Sequence, residues 1–462
     1  MMNKTEKIVQ AIAADIGEGI LMPGQRIASV RQASEVYDVS KNTIIEAYER
    51  LAAKGLISAK RGSGYYVCER RLSIRETSMP PPRHVLEAVD RISLLQSQLN
   101  QDFAVRVGDG RPPASWMEGA IPSRLIKQFF QPDGSDRSGY GSFQGHTELR
   151  ELIAARNRLH NINASANQIV TTFGANHGLD LIIRRYLVPG DTVLVDDPGY
   201  YPLFAKLELA QVRFVGVRRT AVGPDLDDLQ KKAEQENPAF FFTQSTGQNP
   251  TGSSIDLPTA HGVLQIANKT GMIVVDDDPF VDLPNGAGIR LASLDQFQSM
   301  IFVGSFSKVI SASFRSGYII APANIAAEIA ESKLITSINS SRFSEMMIAE
   351  MIKSRRYHKH LQKLDRRLGE AQVAYMSRID QLGLELFTRH THGYYSYIIL
   401  PPGVCDLEFA RDAARAGIFI APSTPFAVQK DPHVAAIRIN ITRADDTRFF
   451  NFMRNYFKNI RS

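Results

Sequence analysis

The side chains of this chain that could do chemistry follow short apolar runs in its second half. Continuous apolar runs of four to six residues are typical of strands buried on both faces of a mostly parallel sheet. In open α/β sheets, ligands bind outside the carboxyl ends of the strands, so we expect these side chains to meet at one edge. In chain order they are Tyr200 in DDPGY, Asn249 in TQSTGQNPTG, the carboxylates Asp276, Asp277 and Asp278, and Lys308 in GSFSK.

A phosphate site is indicated at the same edge. Small residues that open a helix expose backbone N–H groups, and an arginine adds a charged fork for phosphate oxygens. The residues concerned are Gly174, Ala175 and Asn176 at a predicted helix start, and Arg315 seven residues after the lysine.

Lysine, carboxylate, amide, aromatic ring and phosphate donors together describe a pocket for pyridoxal 5'-phosphate. The lysine amine would form a Schiff base with the cofactor aldehyde, and the carboxylate would keep the pyridine nitrogen protonated. Each signal alone also fits a structural role: a solvated lysine, an aspartate turn or metal-binding patch, and a tight NPTG turn. Their joint order favours the cofactor.

Composition excludes several classes of protein. The chain has 462 residues with 44% hydrophobic content and net charge +6, and its two cysteines lie far apart with no CxxC. Neither a disulfide framework nor a metal site is predicted, since His390 and His392 have no third ligand spaced nearby. No apolar run approaches the roughly 20 residues of a membrane span, and no signal peptide is recognised, so we expect a cytoplasmic protein.

The first 70 residues have a different pattern. Amphipathic helical patterns at 4–20 and 31–37 precede a third that begins at Lys41, with Ser40 as its N-cap. Two short apolar runs then flank the basic tip KRGSG. A helix-turn-helix followed by a hairpin with a positive tip predicts a winged module that binds double-stranded promoter DNA.

This module resembles the winged helix-turn-helix of GntR-type regulators over PGQRIASVRQASEVYDVSKNTIIEAYERLAAKGLISAKRGSGYYV. Where that family usually has Leu-Pro-Ser and Ser-Arg, this chain has Ile27-Ala28-Ser29 and Ser40-Lys41. The alternative is a helical head that only decorates an enzyme. The resemblance implies that the DNA-facing residues are Ser29, Arg31, Ser40, Lys41, Asn42, Thr43, Arg61 and Gly62.

From Gly108 onward the chain resembles a fold-type I, class I/II aminotransferase domain. The motifs are YGSFQGHTELRELIA, TTFGANHGLDLI, DDPGY, QNPTG, VVDDDPF and GSFSK followed by RSGY. A GntR-type head on such a domain is the architecture of the MocR subfamily. We therefore predict an α/β chain with a winged helix-turn-helix at 1–70, a linker at 71–107, and a PLP-binding domain at 108–462. That domain has a mostly parallel central sheet and a small C-terminal α+β subdomain.

The resemblance also implies individual roles. Lys308 carries the cofactor, Asp277 partners the pyridine nitrogen, Asn249 donates to the ring's 3-oxygen, and Tyr200 stacks on the ring. Arg438 clamps a ligand carboxylate, and Tyr140 reaches the cofactor of a neighbouring subunit in a homodimer. The phosphate is surrounded by Gly174, Ala175, Asn176, Ser305, Ser307 and Arg315.

Two departures bear on mechanism. Phe280 stands where aminotransferases have a tyrosine that helps to hold the 3-oxygen, and Ala312-Ser313 replaces the usual Pro-Gly. The missing phenol favours ligand sensing over rapid turnover. We expect a transcription regulator in which an amino compound forms an external aldimine with the cofactor and alters promoter binding. An active aminotransferase with an accessory head, or a sensor of pyridoxal phosphate itself, remains an alternative.

Overall fold

The computed structural model describes residues 3–60, 62–68, 82–100, 103–118, 120–121, 126–127, 139–283, 288–389, 391–429 and 434–461. The chain divides into two compact units, Met1–Pro81 and Pro82–Ser462. Within the described ranges, no helix is both long enough and apolar enough to cross a bilayer.

The smaller unit is a helical bundle with a hairpin. Its elements are α1 (Lys4–Gly17), α2 (Val30–Val36), α3 (Lys41–Ala53), β1 (Ile57–Lys60) and β2 (Gly64–Val67). The two strands pair antiparallel, from Ile57 opposite Val67 to Lys60 opposite Gly64. The predicted helix-turn-helix with its wing is therefore present.

The core of this unit follows from helical periodicity. Ile44, Ala47, Tyr48 and Leu51 recur on one face of α3 and are buried. They pack against apolar side chains of α1, including Ile8. The opposite face of α3 is left for polar residues.

The larger unit contains a central sheet. Its strands are β3 (Ile169–Thr172), β4 (Thr192–Asp197), β5 (Arg213–Thr220), β6 (Gly223–Pro224), β7 (Phe240–Thr243), β8 (Ile273–Asp278), β9 (Met300–Ser305) and β10 (Gly317–Ile320). They lie in the order β3-β10-β9-β8-β7-β4-β5-β6. The pairs β5–β4, β4–β7, β7–β8 and β8–β9 are parallel, whereas β10 is antiparallel to β3 and β9. This confirms the α/β class and the mostly parallel sheet.

The larger unit also contains α-helices, some of which cover the two faces of this sheet. They are α4 (Arg83–Arg91), α5 (Ser93–Asn100), α6 (Ala114–Met117), α7 (Thr147–Asn157), α8 (Ala175–Tyr186), α9 (Tyr201–Leu209), α10 (Leu226–Glu236), α11 (Leu257–Thr270), α12 (Leu291–Asp295), α13 (Ala323–Ser337), α14 (Arg342–Lys353), α15 (Arg355–Leu382), α16 (Asp406–Arg415) and α17 (Thr447–Arg461). Successive strand residues enter different apolar cores: Phe241 packs on one side of the sheet, and Phe240 and Phe242 pack on the other. That two-sided burial explains the continuous apolar runs of the sequence.

A second, antiparallel sheet forms the C-terminal subdomain. It consists of β11 (Glu385–Leu386), β12 (Tyr395–Ile399), β13 (Ala421–Pro422) and β14 (Ala436–Asn440), in the order β11-β12-β14-β13. Arg438 on β14 faces Tyr397 on β12 and Ala421 on β13. The predicted small α+β subdomain is confirmed.

The second half of the stretch predicted as a linker, 71–107, contains two helices in this structure. α4 and α5 belong to the larger unit, which begins at Pro82. Arg91 on α4 forms an ion pair with Glu208 on α9 at 2.8 Å and donates to the carbonyls of Ala427 and Val428. The polar, leucine-bearing pattern that indicated a linker is that of helices lying on a protein surface.

Candidate cofactor and DNA-binding sites

Lys308 lies three residues after the end of β9, at the carboxyl edge of the central sheet. It is half-buried, and its Nζ donates to the carbonyl of Gly110 at 2.5 Å. The Tyr394 hydroxyl donates to the Lys308 carbonyl at 2.8 Å, and the ring centroid of Tyr395 lies 5.9 Å from Nζ. The lysine therefore lies between the two sheets. A hydrogen bond from Tyr394 holds its backbone, and a hydrogen bond to Gly110 holds its amine.

Asp277 lies on the neighbouring strand β8 and is buried at 6% exposure. Its Oδ2 accepts a hydrogen bond from Gln244 Nε2 at 2.8 Å, while its Oδ1 has no partner among the residues that the structure describes. Burial raises the pKa of this carboxyl to about 7, with adjacent Asp276 and Asp278 raising it and Gln244 and Lys308 opposing the rise. A cationic partner at Oδ1 would stabilise the charged form.

The other two carboxylates of the VVDDDPF motif have structural partners. Successive strand residues point to opposite faces, so Asp276 and Asp278 face away from Asp277. Asp276 accepts from the Ser245 backbone N–H and hydroxyl, and Asp278 pairs with Arg290 at 2.7 Å. Asp277 is thus the member of the triplet whose carboxylate has an oxygen without a partner.

Tyr200 stands at the end of the loop after β4 and lines a small cavity together with Asp277, Gln244 and Phe242. Burial, then the nearby Asp277 carboxylate, raises the pKa of its hydroxyl above the ordinary value, so the phenol is neutral. Asn249, also buried, follows β7, and its backbone N–H donates to Gln244 Oε1 at 2.8 Å. Gln244 therefore connects the turn that carries Asn249 to the Asp277 carboxylate.

The predicted phosphate residues also converge. Gly174, with φ of 82°, caps α8, and Arg315, with φ of 46°, donates to the Phe173 carbonyl at 2.9 Å. The backbone at Gly317 passes close to the start of α8. A Cβ at this position would lie 2.8 Å from the Ala175 backbone nitrogen, so only glycine fits there.

The polar atoms in this region test whether pyridoxal phosphate would fit. Within the described parts of the chain, buried side-chain oxygens of Asn176, Ser307 and Ser316 have no hydrogen-bond partner, and neither has Asp277 Oδ1. Buried polar atoms are normally paired, so a group of unpaired ones marks a place for a polar ligand. Phosphate oxygens can accept from Ser307 and Ser316, and a protonated pyridine nitrogen can donate to Asp277, so the residues present fit the cofactor.

Arg438 is a buried cation beside this pocket. It is 1% exposed, and its Nη1 donates to Asn249 Oδ1 at 3.1 Å and its Nη2 to the Gly108 carbonyl at 2.5 Å. Its guanidinium lies 5.0 Å from the Tyr395 ring and 5.1 Å from the Phe426 ring. Within the described ranges no carboxylate forms an ion pair with it, and its Nε has no partner.

Two residues that the sequence singled out offer no polar group to this pocket. Tyr140 is 81% exposed and contributes no hydrogen bond to the pocket among the residues that the structure describes. Phe280 is 1% exposed and packs edge-on against Tyr394 and Tyr395, at 5.0 and 5.8 Å between ring centroids. Phe280 thus fills a close-packed position that offers no donor.

In the smaller unit, two of the predicted DNA-facing residues cap helices. The Ser29 hydroxyl accepts from the Gln32 backbone in a capping box at the start of α2. Ser40 caps α3 by accepting from the Thr43 backbone at 3.3 Å, and the two hydroxyls lie 2.8 Å apart. Their capping fixes the helix starts that present the neighbouring residues.

Four further predicted head residues, Arg31, Lys41, Asn42 and Gly62, are exposed. Lys41 and Asn42 are exposed in the first turn of α3, and Arg31 pairs with Glu35 at 3.5 Å. Gly62 has φ of 77° in the hairpin tip, and Lys60 lies 4.6 Å from the Tyr66 ring centroid. Arg61 lies outside the described residues.

Residue-by-residue inspection of the sequence missed the supporting groups. Gln244 was within the quoted TQSTGQNPTG, but nothing in its spacing distinguishes it from Gln248. Gly108 marks only the start of the predicted domain, and Gly110 gives no signal in the sequence, although their carbonyls accept hydrogen bonds from Arg438 and Lys308. Tyr395 is far from the motifs in sequence, so only the packing of the two sheets brings it near.

Comparison with known proteins agrees with both halves of the chain. Residues 106–451 match the family model of class I and II aminotransferases, and residues 4–67 match that of bacterial regulatory proteins of the gntR family. The two matches confirm both resemblances seen in the sequence motifs and the MocR-type arrangement they form.

Individual relatives include both regulators and enzymes. The HTH-type transcriptional regulator YdcR of Escherichia coli is 26% identical over 92% of this chain and 92% of its own length. The 2-aminoadipate transaminase of Thermus thermophilus is 28% identical over 62% of this chain and 72% of its own. The crystal structure of LysN, an α-aminoadipate aminotransferase from Thermus thermophilus, has a TM-score of 0.73 and 22% identity, over 81% of this chain and 98% of that one.

Proposed function

We propose that this chain, which belongs to the class I and II aminotransferase family and joins it to a gntR-type head, is a transcription regulator that senses an amino compound bearing a carboxylate. Pyridoxal phosphate is the cofactor of the family. In the proposal, the head binds promoter DNA in the cytoplasm, and an amine that reaches the cofactor changes the affinity for that DNA.

The unpaired charge of Arg438 carries this proposal. A buried cation without a counterion is costly, and proteins usually pair such groups. Arg438 has two aromatic neighbours and two neutral hydrogen-bond acceptors, but no described carboxylate. An anionic ligand group would supply the missing charge, and Lys308 lies close enough for both to border the Gly108–Gly110 turn.

The chain's own residues divide the work of holding the cofactor. Asp277 offers Oδ1 to the pyridine nitrogen, Ser307 and Arg315 offer donors to the phosphate, and Tyr200 offers its ring face. Bound there, the cofactor would supply an aldehyde that condenses reversibly with primary amines and a ring that withdraws electrons. Lys308 supplies the resident amine, so an incoming amine competes with it.

A change in DNA affinity requires that the ligand bind two conformations of the chain unequally. Lys41 and Asn42, exposed at the start of α3, are suited to contact phosphates and base edges in the major groove. We expect the head to retain DNA binding without the amine and the larger unit to alter its strength.

Homodimer formation is part of the proposal. Tyr140 and Phe143 are 81% and 42% exposed, and Ile335 and Ile338 of the nearby α13 region are 85% and 47% exposed. Gly141 would bring a Cβ within 3.3 Å of Asn339, so the two segments adjoin. An apolar surface of this kind fits a second copy of the chain, whose cofactor Tyr140 would reach.

Turnover as an aminotransferase is the rival function. Phe280 favours sensing, because its buried ring offers no hydroxyl to the cofactor. The experiment is to load the full chain with pyridoxal phosphate, add natural amino acids one at a time, and record visible absorption together with keto-acid release. We expect at least one to shift the absorption without sustained release of keto acid. Repeated turnover with an added keto acid would establish the enzyme instead, and no absorption change with any amine would exclude both.

A further inference from the structure

We propose that residues 105–112 form a latch that occupies the ligand-carboxylate position on Arg438, and that Asp109 is the positioning residue that holds this latch closed. This inference rests on the proposed function, since it assigns the competitor that an effector must displace. It makes effector binding and release of the latch a single event.

The latch places backbone carbonyls on the groups that face the ligand. Gly108 O accepts from Arg438 Nη2 at 2.5 Å, and Gly110 O accepts from the Tyr395 hydroxyl at 2.9 Å. Gly108 has no room for a side chain, because a Cβ would lie 2.5 Å from the Ala421 backbone nitrogen. The backbone of Gly108 therefore packs directly against β13, and its carbonyl contacts Arg438 of β14.

A carboxylate and the latch cannot both use the guanidinium in the best geometry. Bidentate binding of a carboxylate by arginine takes two parallel N–H groups. The free Nε of Arg438 shares its fork with Nη2, whose partner is Gly108 O. A ligand carboxylate on that fork draws on the same Nη2 group that binds the Gly108 carbonyl, so it competes with this neutral and hence weaker acceptor.

Asp109 ties the latch down by charge. Its carboxylate is fully buried and lies 3.0 Å from Arg106, 3.4 Å from Arg111 and 3.5 Å from Arg443. Three guanidinium groups around one carboxylate restrict the segment on both sides of Gly108 and join it to the end of the C-terminal sheet.

Neighbouring polar side chains complete the attachment. Asn440 Nδ2 donates to the carbonyls of Asp109 and Arg111, at 2.8 and 3.0 Å, and Arg443 donates to those of Arg111 and Pro112, at 2.6 and 3.1 Å. The latch follows α5 within the larger unit, on the side of that unit that is nearest to the head in sequence. Its release would therefore alter the stretch of chain that leads back to the DNA-binding module.

The test compares paired ligands on the cofactor-loaded full chain. L-alanine is paired with ethylamine, and L-leucine with 3-methylbutylamine, because each amine lacks only the carboxylate. Asp109→Asn keeps the shape and removes the charge that holds the latch. In this variant the latch is closed in a smaller fraction of molecules, which raises the apparent affinity for a ligand that must displace it. We therefore expect the half-saturating concentration of the amino acid to fall about threefold or more, and that of the amine to stay unchanged.

Two controls separate the latch from general damage. Asp295→Asn alters another buried carboxylate, which accepts hydrogen bonds from Ser299 just before β9, and should change the affinity for neither ligand. If Asp109→Asn does not fold, Arg443→Gln weakens the same attachment. Equal loss of affinity for the amino acid and its amine would overturn the latch, since that is the result of a merely structural role.

Hydrogen exchange tests the latch without any ligand. The amide of Gly108 donates to Phe419 O at 2.8 Å, and that of Arg111 to Asp109 Oδ1 at 3.0 Å. In Asp109→Asn we expect exchange in residues 105–112 to accelerate about tenfold while the central sheet is unchanged. Unaltered exchange there would overturn the latch. If neither form responds to any amine, the proposed function fails, and exchange still decides the latch.

Discussion

Gln244 Nε2 donates to Asp277 Oδ2 at 2.8 Å, while Gln244 Oε1 accepts from the Asn249 backbone at 2.8 Å. One amide thus supports the residues expected at opposite sides of the cofactor ring. Because the side chain bridges two strand ends, it fixes the carboxylate that partners the pyridine nitrogen relative to the turn that carries Asn249.

Replacing Gln244 by leucine should weaken cofactor binding. The hydrogen bond stabilises ionised Asp277, so its loss raises the pKa of that carboxyl further above its value of about 7. Hydrogen bonds to charged groups contribute about 1.5–3 kcal/mol, so we expect pyridoxal phosphate affinity at pH 7 to fall about tenfold or more, as measured by equilibrium titration. Gln248→Leu removes a neighbouring buried amide that does not contact Asp277, and an equal loss there would indicate damage to the turn instead.

Asp277→Asn should stabilise the cofactor-free protein as pH rises. The folded state binds the Asp277 proton more tightly than the unfolded state, whose carboxyl has a pKa near 3.8. This contribution to stability is fully present below about pH 4 and is lost as pH rises through about 7. The variant should exceed the wild type by on the order of 2 kcal/mol at pH 8 and by little at pH 4, in urea unfolding. A constant difference across this pH range would contradict the assigned pKa.

Arg438→Leu should separate recognition of the carboxylate from recognition of the amine. Removing one partner of a buried charge pair costs about 2–5 kcal/mol, so the absorption response to an amino acid should weaken roughly 30-fold or more. The response to the corresponding decarboxylated amine should persist, together with the absorption of the lysine-bound cofactor. If both ligands lose affinity equally, Arg438 does not bind the carboxylate.

Two adjacent residues of the head should have different effects. Lys41→Ala removes an exposed cation, so DNA affinity should fall and the salt dependence of binding should decrease by about one phosphate contact. Ser40→Ala removes the cap of α3 and should cost about 1 kcal/mol of head stability in thermal unfolding. Lys54→Ala, exposed beyond the other end of α3, is the control for charge alone. Identical salt slopes for Lys41→Ala and wild type would exclude the phosphate contact.

Local sequence patterns predict the central strands and the residues at their ends. They do not predict the packing around Arg438, for a physical reason. Strands buried on both faces give continuous apolar runs, and the carboxyl ends of such strands share an edge, so Asp277 and Lys308 could be placed together. The Arg438 environment depends on the packing of a second sheet, which no local pattern encodes. The polar outer faces of the helices at 83–100 dominate the composition there, which is why this stretch is typical of a linker.

The central claim joins an amine at Lys308 to DNA binding, and one measurement tests it directly. The full chain, its Lys308→Ala variant and an exposed-site control, Lys359→Ala, are each bound to a genomic fragment selected by the wild type. DNA affinity and visible absorption are followed in the same titration with the amino acid that shifts the wild-type spectrum. We expect the wild type and the control to change DNA affinity about fivefold or more as the absorption shifts. Lys308→Ala should bind DNA and respond to neither signal. Unchanged DNA affinity in the wild type, over a complete absorption shift, would contradict the account.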